Sequence, residues 1–218
     1  MKKHFIIALF LLITFFSAPA QKRWGIADGI GLNRVSGYNA LGIKTDVLVT
    51  LQASVFGILP LDKNDKFVFM PSLGYLPKGV QFKNVLFTDN LGNVIGTGNS
   101  KRRIDYLQLT LPGSLKMKWS KKVEGYIGTG PYIAYGLSGK EKWNYNTGGN
   151  NTSTSVKLDF DKASINRFEI GFNAQFSVIV SGNWLFGLSS DIAITKINSA
   201  GTNNTYNQAS HVNIGYVF

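Results

Sequence analysis

The sequence has no cysteine among its 218 residues. This absence excludes a disulfide framework, a cysteine nucleophile, a thiolate metal site and a lipidated N-terminal cysteine. Charged residues are also scarce, at 16% where about a quarter is typical, while 24 glycines and 13% aromatic residues are high values. The chain shows neither helical periodicity nor a disordered composition, so this balance favours an all-β protein of one domain.

The sequence also lacks an apolar run long enough to cross a bilayer as a helix. The run from Phe5 to Phe16 has 12 residues, of which Thr14 is polar, whereas roughly 20 are needed. Lys2 and Lys3 precede this run, and Ala18-Pro19-Ala20 follows it as a small-x-small cleavage pattern. We therefore predict a secretory signal peptide over residues 1–20 and a mature domain over residues 21–218.

Acidic residues are fewer than basic ones, with 12 Asp and Glu against 23 Lys and Arg. Removing Lys2 and Lys3 with the signal peptide leaves 21 cationic side chains against 12 acidic ones, a net charge of +9. For a basic protein outside the cytoplasm, nucleic acid is a poor candidate partner and an anionic membrane surface is a better one. We expect outer-membrane lipid and lipopolysaccharide to surround it.

Alternation of apolar and polar residues is the main positive signal. Odd positions from Leu107 to Trp119 are largely apolar and even ones polar, and the parity is reversed from Phe168 to Val180. The pattern lasts about 14 residues, longer than the 5 to 6 typical of soluble strands. It predicts an eight-stranded antiparallel up-and-down transmembrane β-barrel, with strands near residues 24–33, 46–59, 66–82, 104–119, 123–137, 164–180, 184–197 and 205–218.

The connections between these strands alternate in length, as in outer-membrane barrels, where short turns face the periplasm. Both termini are then periplasmic. Short turns are predicted at residues 61–65, 120–122 and 181–183, and outer loops at 34–45, 83–103, 140–163 and 198–204.

Trp24, Trp119 and Trp184 lie near the short-turn ends of their strands, which indicates an aromatic girdle at one membrane interface. Phe67, Phe69, Tyr216 and Phe218 fall at the same level.

Five short motifs are spread along the predicted barrel. They are Gly29-Ile30-Gly31-Leu32-Asn33, residues 71–79 (PSLGYLPKG), residues 106–112 (YLQLTLP), residues 130–135 (GPYIAY) and Asn213-Ile214-Gly215-Tyr216-Val217-Phe218. These motifs resemble those of the PorT-type outer-membrane β-barrels of Bacteroidetes. The resemblance implies a barrel of the cell envelope and no particular activity, and Gln108 departs from the glutamate usual in the family. Phe218 ends an alternating strand, which resembles the signal that the barrel-assembly machinery recognises.

Charged residues on the inward face are predicted to pair inside the narrow barrel, which side chains fill. Strand parity places Lys116, Arg167, Glu169 and Asp191 in this lumen, and a three-residue turn places Lys118 opposite Glu124. A small polar tunnel or ligand cleft is the alternative.

Catalytic chemistry has little support in the sequence. His211, the single histidine of the mature chain, faces inward near Asp191, while Ser210 faces the opposite side. We therefore predict no enzyme, and no catalytic, cofactor-binding or metal-binding residues.

The outer loops are the remaining candidates for function. The segment from Lys140 to Ala163 contains Trp143, Tyr145 and a polar stretch that looks flexible, and Lys101-Arg102-Arg103 forms a basic cluster. These residues predict either a docking surface for another envelope protein or a solvated surface that screens lipopolysaccharide phosphates. A structural or docking barrel is the first hypothesis, a narrow transport pore the second and a membrane-embedded hydrolase the third.

Overall fold

The computed structural model describes residues 22–37, 45–88, 91–147, 150–198 and 204–218. The predicted signal peptide lies outside these ranges, as do the middle of the first predicted outer loop and most of the last one. The described residues form twelve β-strands: β1 (Arg23–Ser36), β2 (Thr45–Asp46), β3 (Leu48–Pro60), β4 (Phe67–Phe69), β5 (Ser72–Thr88), β6 (Val94–Thr110), β7 (Gly113–Ser120), β8 (Val123–Thr147), β9 (Asn150–Lys157), β10 (Phe168–Val180), β11 (Trp184–Ala193) and β12 (Tyr206–Val217).

These strands build a closed antiparallel barrel with eight wall positions. Strands β2 and β3 occupy one position, as do β4 with β5 and β6 with β7, and each position pairs with the next along the chain. β8 pairs with β10, and β12 pairs with β1 over Gly25 to Ser36, which closes the ring. The predicted fold class is confirmed, and each of the eight predicted stretches overlaps the strand or strands of one wall position, with differences at the ends.

Two of the split wall positions are interrupted at proline. Pro71 separates β4 from β5, and Pro112 separates β6 from β7. Proline has no backbone N–H for the ladder, but the carbonyls at the breaks are used. Pro71 O accepts a hydrogen bond from Gly57 N at 2.8 Å, and Pro112 O accepts one from Met70 N at 3.0 Å. The wall therefore stays continuous across both breaks.

The two ends of the barrel differ. At the turn end, β3 and β4, β7 and β8, and β10 and β11 are joined by short turns, and the start of β1 and Phe218 lie there as well. Phe218 N donates to Trp24 O at 2.8 Å, and Val217 N donates to Asn183 O at 2.7 Å. At the opposite end, the loop end, the connections are long.

The prediction of loops over residues 83–103 and 140–163 is largely wrong, because the strands continue past the barrel. β5 pairs with β6 as far as Thr88, β6 with β8 as far as Asn146, and β8 with β9 over Lys140 to Thr147. These four segments form what we call the outer sheet. The polar stretch predicted to be flexible is mostly β9, although Gly148 and Gly149 lie outside the described residues. Backbone pairing overrides the weak strand propensity of asparagine and glycine here.

The outside of the wall is apolar over the barrel and carries the predicted aromatic residues. Trp24, Trp119 and Trp184 are 43%, 55% and 50% exposed. Trp24 lies over Gly57 and Trp119 over Gly125, where a Cβ atom would come within about 3 Å of the indole. Asp28 also faces outward on this wall. Other exposed apolar wall residues include Ile26, Ile30, Leu51, Leu107, Ile133, Phe172, Leu188 and Ile214.

The interior has three layers. An apolar layer at the turn end includes Tyr126, Ile179 and Val217, all fully buried. A second apolar layer at the loop end contains Tyr106, Tyr132 and Val80, with Phe160 and Ile165 from the segment after β9 packed against them. A layer of buried polar and charged side chains lies in the barrel between these two clusters.

Candidate functional site

Lys78 is at the centre of the polar layer. Its ammonium Nζ lies 2.8 Å from Glu169 Oε1 and 3.1 Å from Asp191 Oδ2, and all three side chains are at most 4% exposed. The same ammonium lies 4.2 Å from the centroid of the Tyr132 ring, whose hydroxyl donates to Glu169 at 2.8 Å. One cation thus joins two carboxylates and an aromatic face at a buried site.

Amide side chains complete the hydrogen bonding of the two carboxylates. Asp191 accepts hydrogen bonds from Asn173 Nδ2 at 2.7 Å and from Gln108 Nε2 at 2.9 Å. Asn207 Nδ2 donates to the second oxygen of Glu169. Buried charges are stable only when they are paired and fully hydrogen-bonded. These contacts therefore tie six strands of the wall to one cluster: β5, β6, β8, β10, β11 and β12.

The sequence correctly places Glu169, Asp191 and His211 inside the barrel, but it does not identify Lys78. In β5, Leu73 and Tyr75 face outward, while Leu76, Val80 and Phe82 face inward. Since both faces of this strand are apolar, alternation does not show which face carries Lys78. The remaining sequence signal for a buried cation is Lys78 itself, because it is a single charged residue within an apolar stretch.

Two lumen predictions need correction. Arg167 is exposed at the loop end, where its guanidinium lies 4.6 Å from the Phe160 ring centroid, because β10 begins one residue later. Lys118 is opposite Glu124 as predicted, but it is exposed and does not pair with it. Glu124 instead binds Lys116 Nζ at 2.8 Å and Arg23 Nη1 at 2.7 Å, because Lys116 is its diagonal neighbour on the inner face of β7 and Arg23 reaches it from β1.

The different positions of Lys116 and Lys118 can be tested by double-mutant cycles with Glu124. We expect Lys116→Gln and Glu124→Gln to couple by about 0.5 to 1 kcal/mol, since the pair is partly exposed. Lys118→Gln and Glu124→Gln should show almost no coupling. The measurement is urea unfolding of the refolded protein in detergent micelles. Equal coupling in both cycles would contradict the side-chain placement.

His211 contacts Asp191, with Nε2 at 3.4 Å from Oδ2. Its Nδ1 is buried and has no hydrogen-bond partner among the described residues, and Ser210 is exposed on the outer wall. Among the described residues, no hydroxyl is hydrogen-bonded to this imidazole, as activation of a nucleophile would require. Within the described ranges, no cluster of three or more histidine, cysteine or acidic side chains is arranged to hold a metal ion.

A cavity of about 80 Å³ lies beside this layer, toward the turn end. Four amide side chains line it: Gln52, Gln108, Asn173 and Asn213. The side-chain amide oxygens of Gln52, Gln108 and Asn173 have no hydrogen-bond partner among the described residues. The volume accommodates a few water molecules, which would satisfy these groups.

The outer sheet has two chemically different faces. Arg102 and Glu141 pair at 3.1 Å on the face that continues the lumen side, where Trp143 and Tyr145 also lie by strand parity. Lys101 and Arg103 lie on the opposite face, which continues the outer wall. The structure therefore divides the predicted basic cluster of Lys101, Arg102 and Arg103 between two surfaces.

A closed antiparallel barrel with an apolar outside, aromatic residues near one rim and a filled interior is a transmembrane β-barrel. In the described part of the chain, none of the helices is both long and apolar enough to span a membrane.

The family model "Outer membrane protein beta-barrel domain" matches residues 19–199, and the chain belongs to this family. It is thus a barrel protein of the outer membrane. A search of curated proteins finds no match.

Several solved outer-membrane barrels are similar in structure. Ail, the attachment invasion locus protein of Yersinia pestis, is 15% identical with a TM-score of 0.45, over 90% of this chain and 98% of that chain. Neisserial surface protein A is 11% identical with a TM-score of 0.41, over 89% and 95% of the two chains. OprG of Pseudomonas aeruginosa is 15% identical with a TM-score of 0.38, over 90% and 94%.

Proposed function

We propose that this protein is a structural or docking barrel that presents its outer sheet to another protein of the cell envelope. The observation that carries the proposal is the lumen-side face of the outer sheet, where Trp143 and Tyr145 follow the ion pair of Arg102 and Glu141. Aromatic residues and arginine are enriched in interface anchors. β9 is also an edge strand, paired with β8 alone among the described strands, so its free backbone groups are available to a partner.

In this proposal the protein is not an enzyme. Its loop end lies outside the cell, and both termini lie in the periplasm. Short turns of outer-membrane barrels face the periplasm, which supports this orientation. The motifs described above support a PorT-type barrel of Bacteroidetes, exported by a signal peptide and inserted by the barrel-assembly machinery through Phe218.

The orientation can be tested by cysteine labelling, because the chain has no cysteine of its own. Thr152→Cys in β9 and Lys63→Cys in the first short turn are both at exposed positions. We expect a membrane-impermeant maleimide to label Thr152→Cys in intact cells and to label Lys63→Cys after the outer membrane is opened. The reverse pattern would show that the barrel is inserted the other way round.

The docking role is tested by a photo-crosslinking residue introduced at Trp143 or Val156 in living cells. Both positions lie on the lumen-side face of the outer sheet. We expect one discrete protein adduct from these sites and none from Trp24 on the lipid-facing wall. The adduct should disappear when residues 142–155 are replaced by a short turn, which leaves Phe160 in place. Identical adduct patterns at all three sites would refute docking through this face.

A further inference from the structure

We propose that the outward face of the outer sheet is a binding site for the phosphate groups of lipopolysaccharide in the outer leaflet. The site consists of five cationic side chains on three adjacent strands. They are Lys101, Arg103, Lys140, Lys142 and Lys157, all of them exposed.

The strand register brings these cations together. Arg103 lies directly opposite Lys140, and Lys140 lies directly opposite Lys157. One step further along the sheet, Lys101 lies opposite Lys142. Opposite residues of an antiparallel pair have Cβ atoms about 5 Å apart, so the five charges occupy one compact patch.

Like charges directly opposite each other destabilise a sheet, and the structure offers them little compensation. Glu141 lies between Lys140 and Lys142 in sequence, but its carboxylate is on the other face with Arg102. Asp105 binds Arg103 Nε at 2.7 Å. Among the described residues, no acidic side chain lies within ion-pair distance of Lys101, Lys140, Lys142 or Lys157. An anionic ligand would remove the repulsion.

The position of the patch identifies the ligand. Leu107 and Tyr135 are opposite each other on the lipid-facing wall, Asp105 and Ser138 form the next step, and Arg103 with Lys140 the one after. The cations thus begin four residues beyond Leu107, roughly 13 Å along the strand from this part of the apolar wall. At this height the ligand is a headgroup whose acyl chains lie against the barrel.

The choice of lipopolysaccharide rests on the orientation proposed above, in which the loop end faces outward. In that orientation the patch meets the outer leaflet, whose lipid A carries phosphates at the boundary between sugar and acyl chains. Two or three cations can then contact one phosphate, and a cationic side chain near an anionic membrane surface contributes measurably to binding.

The test uses the full mature barrel refolded in neutral detergent, with folding verified by heat-modifiable migration on gels. Purified lipopolysaccharide with phosphorylated lipid A is titrated and binding is followed by tryptophan fluorescence. We expect the variant with Lys101, Lys140, Lys142 and Lys157 replaced by glutamine to bind at least about tenfold more weakly than the wild type. Replacing the same four lysines by arginine should preserve binding.

A matched control removes four exposed lysines at the turn end, Lys63, Lys66, Lys121 and Lys122, by the same change to glutamine. This control should bind as the wild type does, since its net charge equals that of the first variant but its outer patch is intact. Lipopolysaccharide whose phosphates have been removed should bind the wild type as weakly as the phosphorylated form binds the glutamine variant.

Unchanged affinity of the glutamine variant, or equal loss in the turn-end control, would overturn the proposal. Equal binding of phosphatidylglycerol would show a general preference for anionic lipid, and full competition by inorganic phosphate would show a site for free anions; either result would also overturn it. Binding in detergent is independent of orientation, so failure here is distinct from failure of the cysteine labelling or of crosslinking at Trp143.

Discussion

Replacing Lys78 by methionine is expected to destabilise the barrel by about 3 to 5 kcal/mol, the cost of breaking a buried ion pair on one side. Methionine keeps most of the length of the side chain and removes its charge. The carboxylates of Glu169 and Asp191, now 2.8 and 3.1 Å from the ammonium, would then remain buried without a cation. Unfolding of the refolded protein in detergent, with urea or guanidinium, measures the loss.

The source of this effect can be isolated by removing the acids as well. The triple variant Lys78→Met, Glu169→Gln, Asp191→Asn should recover most of the lost stability, since neutral replacement of a buried ionic cluster is often tolerated. Lys118→Met is the matched control, because Lys118 is exposed and unpaired with Glu124, and it should change stability by less than about 0.5 kcal/mol. A Lys78→Met variant as stable as this control would show that water reaches the polar layer.

The second large effect is the absence of ion conduction. Purified wild-type protein in planar bilayers should show no steady single-channel steps, because each end of the lumen is closed by packed side chains. Tyr126, Ile179 and Val217 close the turn end, and Phe160 packs with Tyr106 at the loop end. An eight-stranded barrel has an interior only wide enough for such filling.

The two apolar layers also predict how the lumen responds to mutation. Phe160→Ser alone should not produce conduction, since the turn-end layer remains closed. A large water-filled barrel protein in the same bilayers provides the positive control. Steady steps in the wild type that persist after residues 142–155 are replaced by a short turn would refute the closed lumen and support the pore hypothesis.

Alternation in the sequence was sufficient to predict the barrel and its eight wall positions, because a strand with lipid on one side and a packed lumen on the other must change polarity at every residue. Leu107 to Trp119 and Phe168 to Val180 show this clearly. The same rule placed Glu169, Asp191 and His211 in the lumen and Trp24, Trp119 and Trp184 on the wall.

The partners of the charged residues could not be predicted in this way. Lys78 and Glu169 are separated by 91 residues and Arg23 and Glu124 by 101, and their contacts depend on the tilt and closure of the whole barrel. Parity assigns a side chain to a face, but it does not say which long side chain crosses the lumen. For that reason Glu124 pairs with Lys116 and Arg23 rather than with Lys118 directly opposite it.

The outer sheet shows the same limit at larger scale. Its segments are rich in asparagine, glycine, serine and threonine, so local preference indicated loops, yet they extend strands whose register the barrel below had already set. That register separates Lys101 and Arg103 from Arg102 and joins them to Lys140, Lys142 and Lys157. Residue types and their alternation follow from the chain alone, whereas neighbours across strands are fixed only by the register of the folded sheet, because pairing of the strands aligns segments that are separated in sequence.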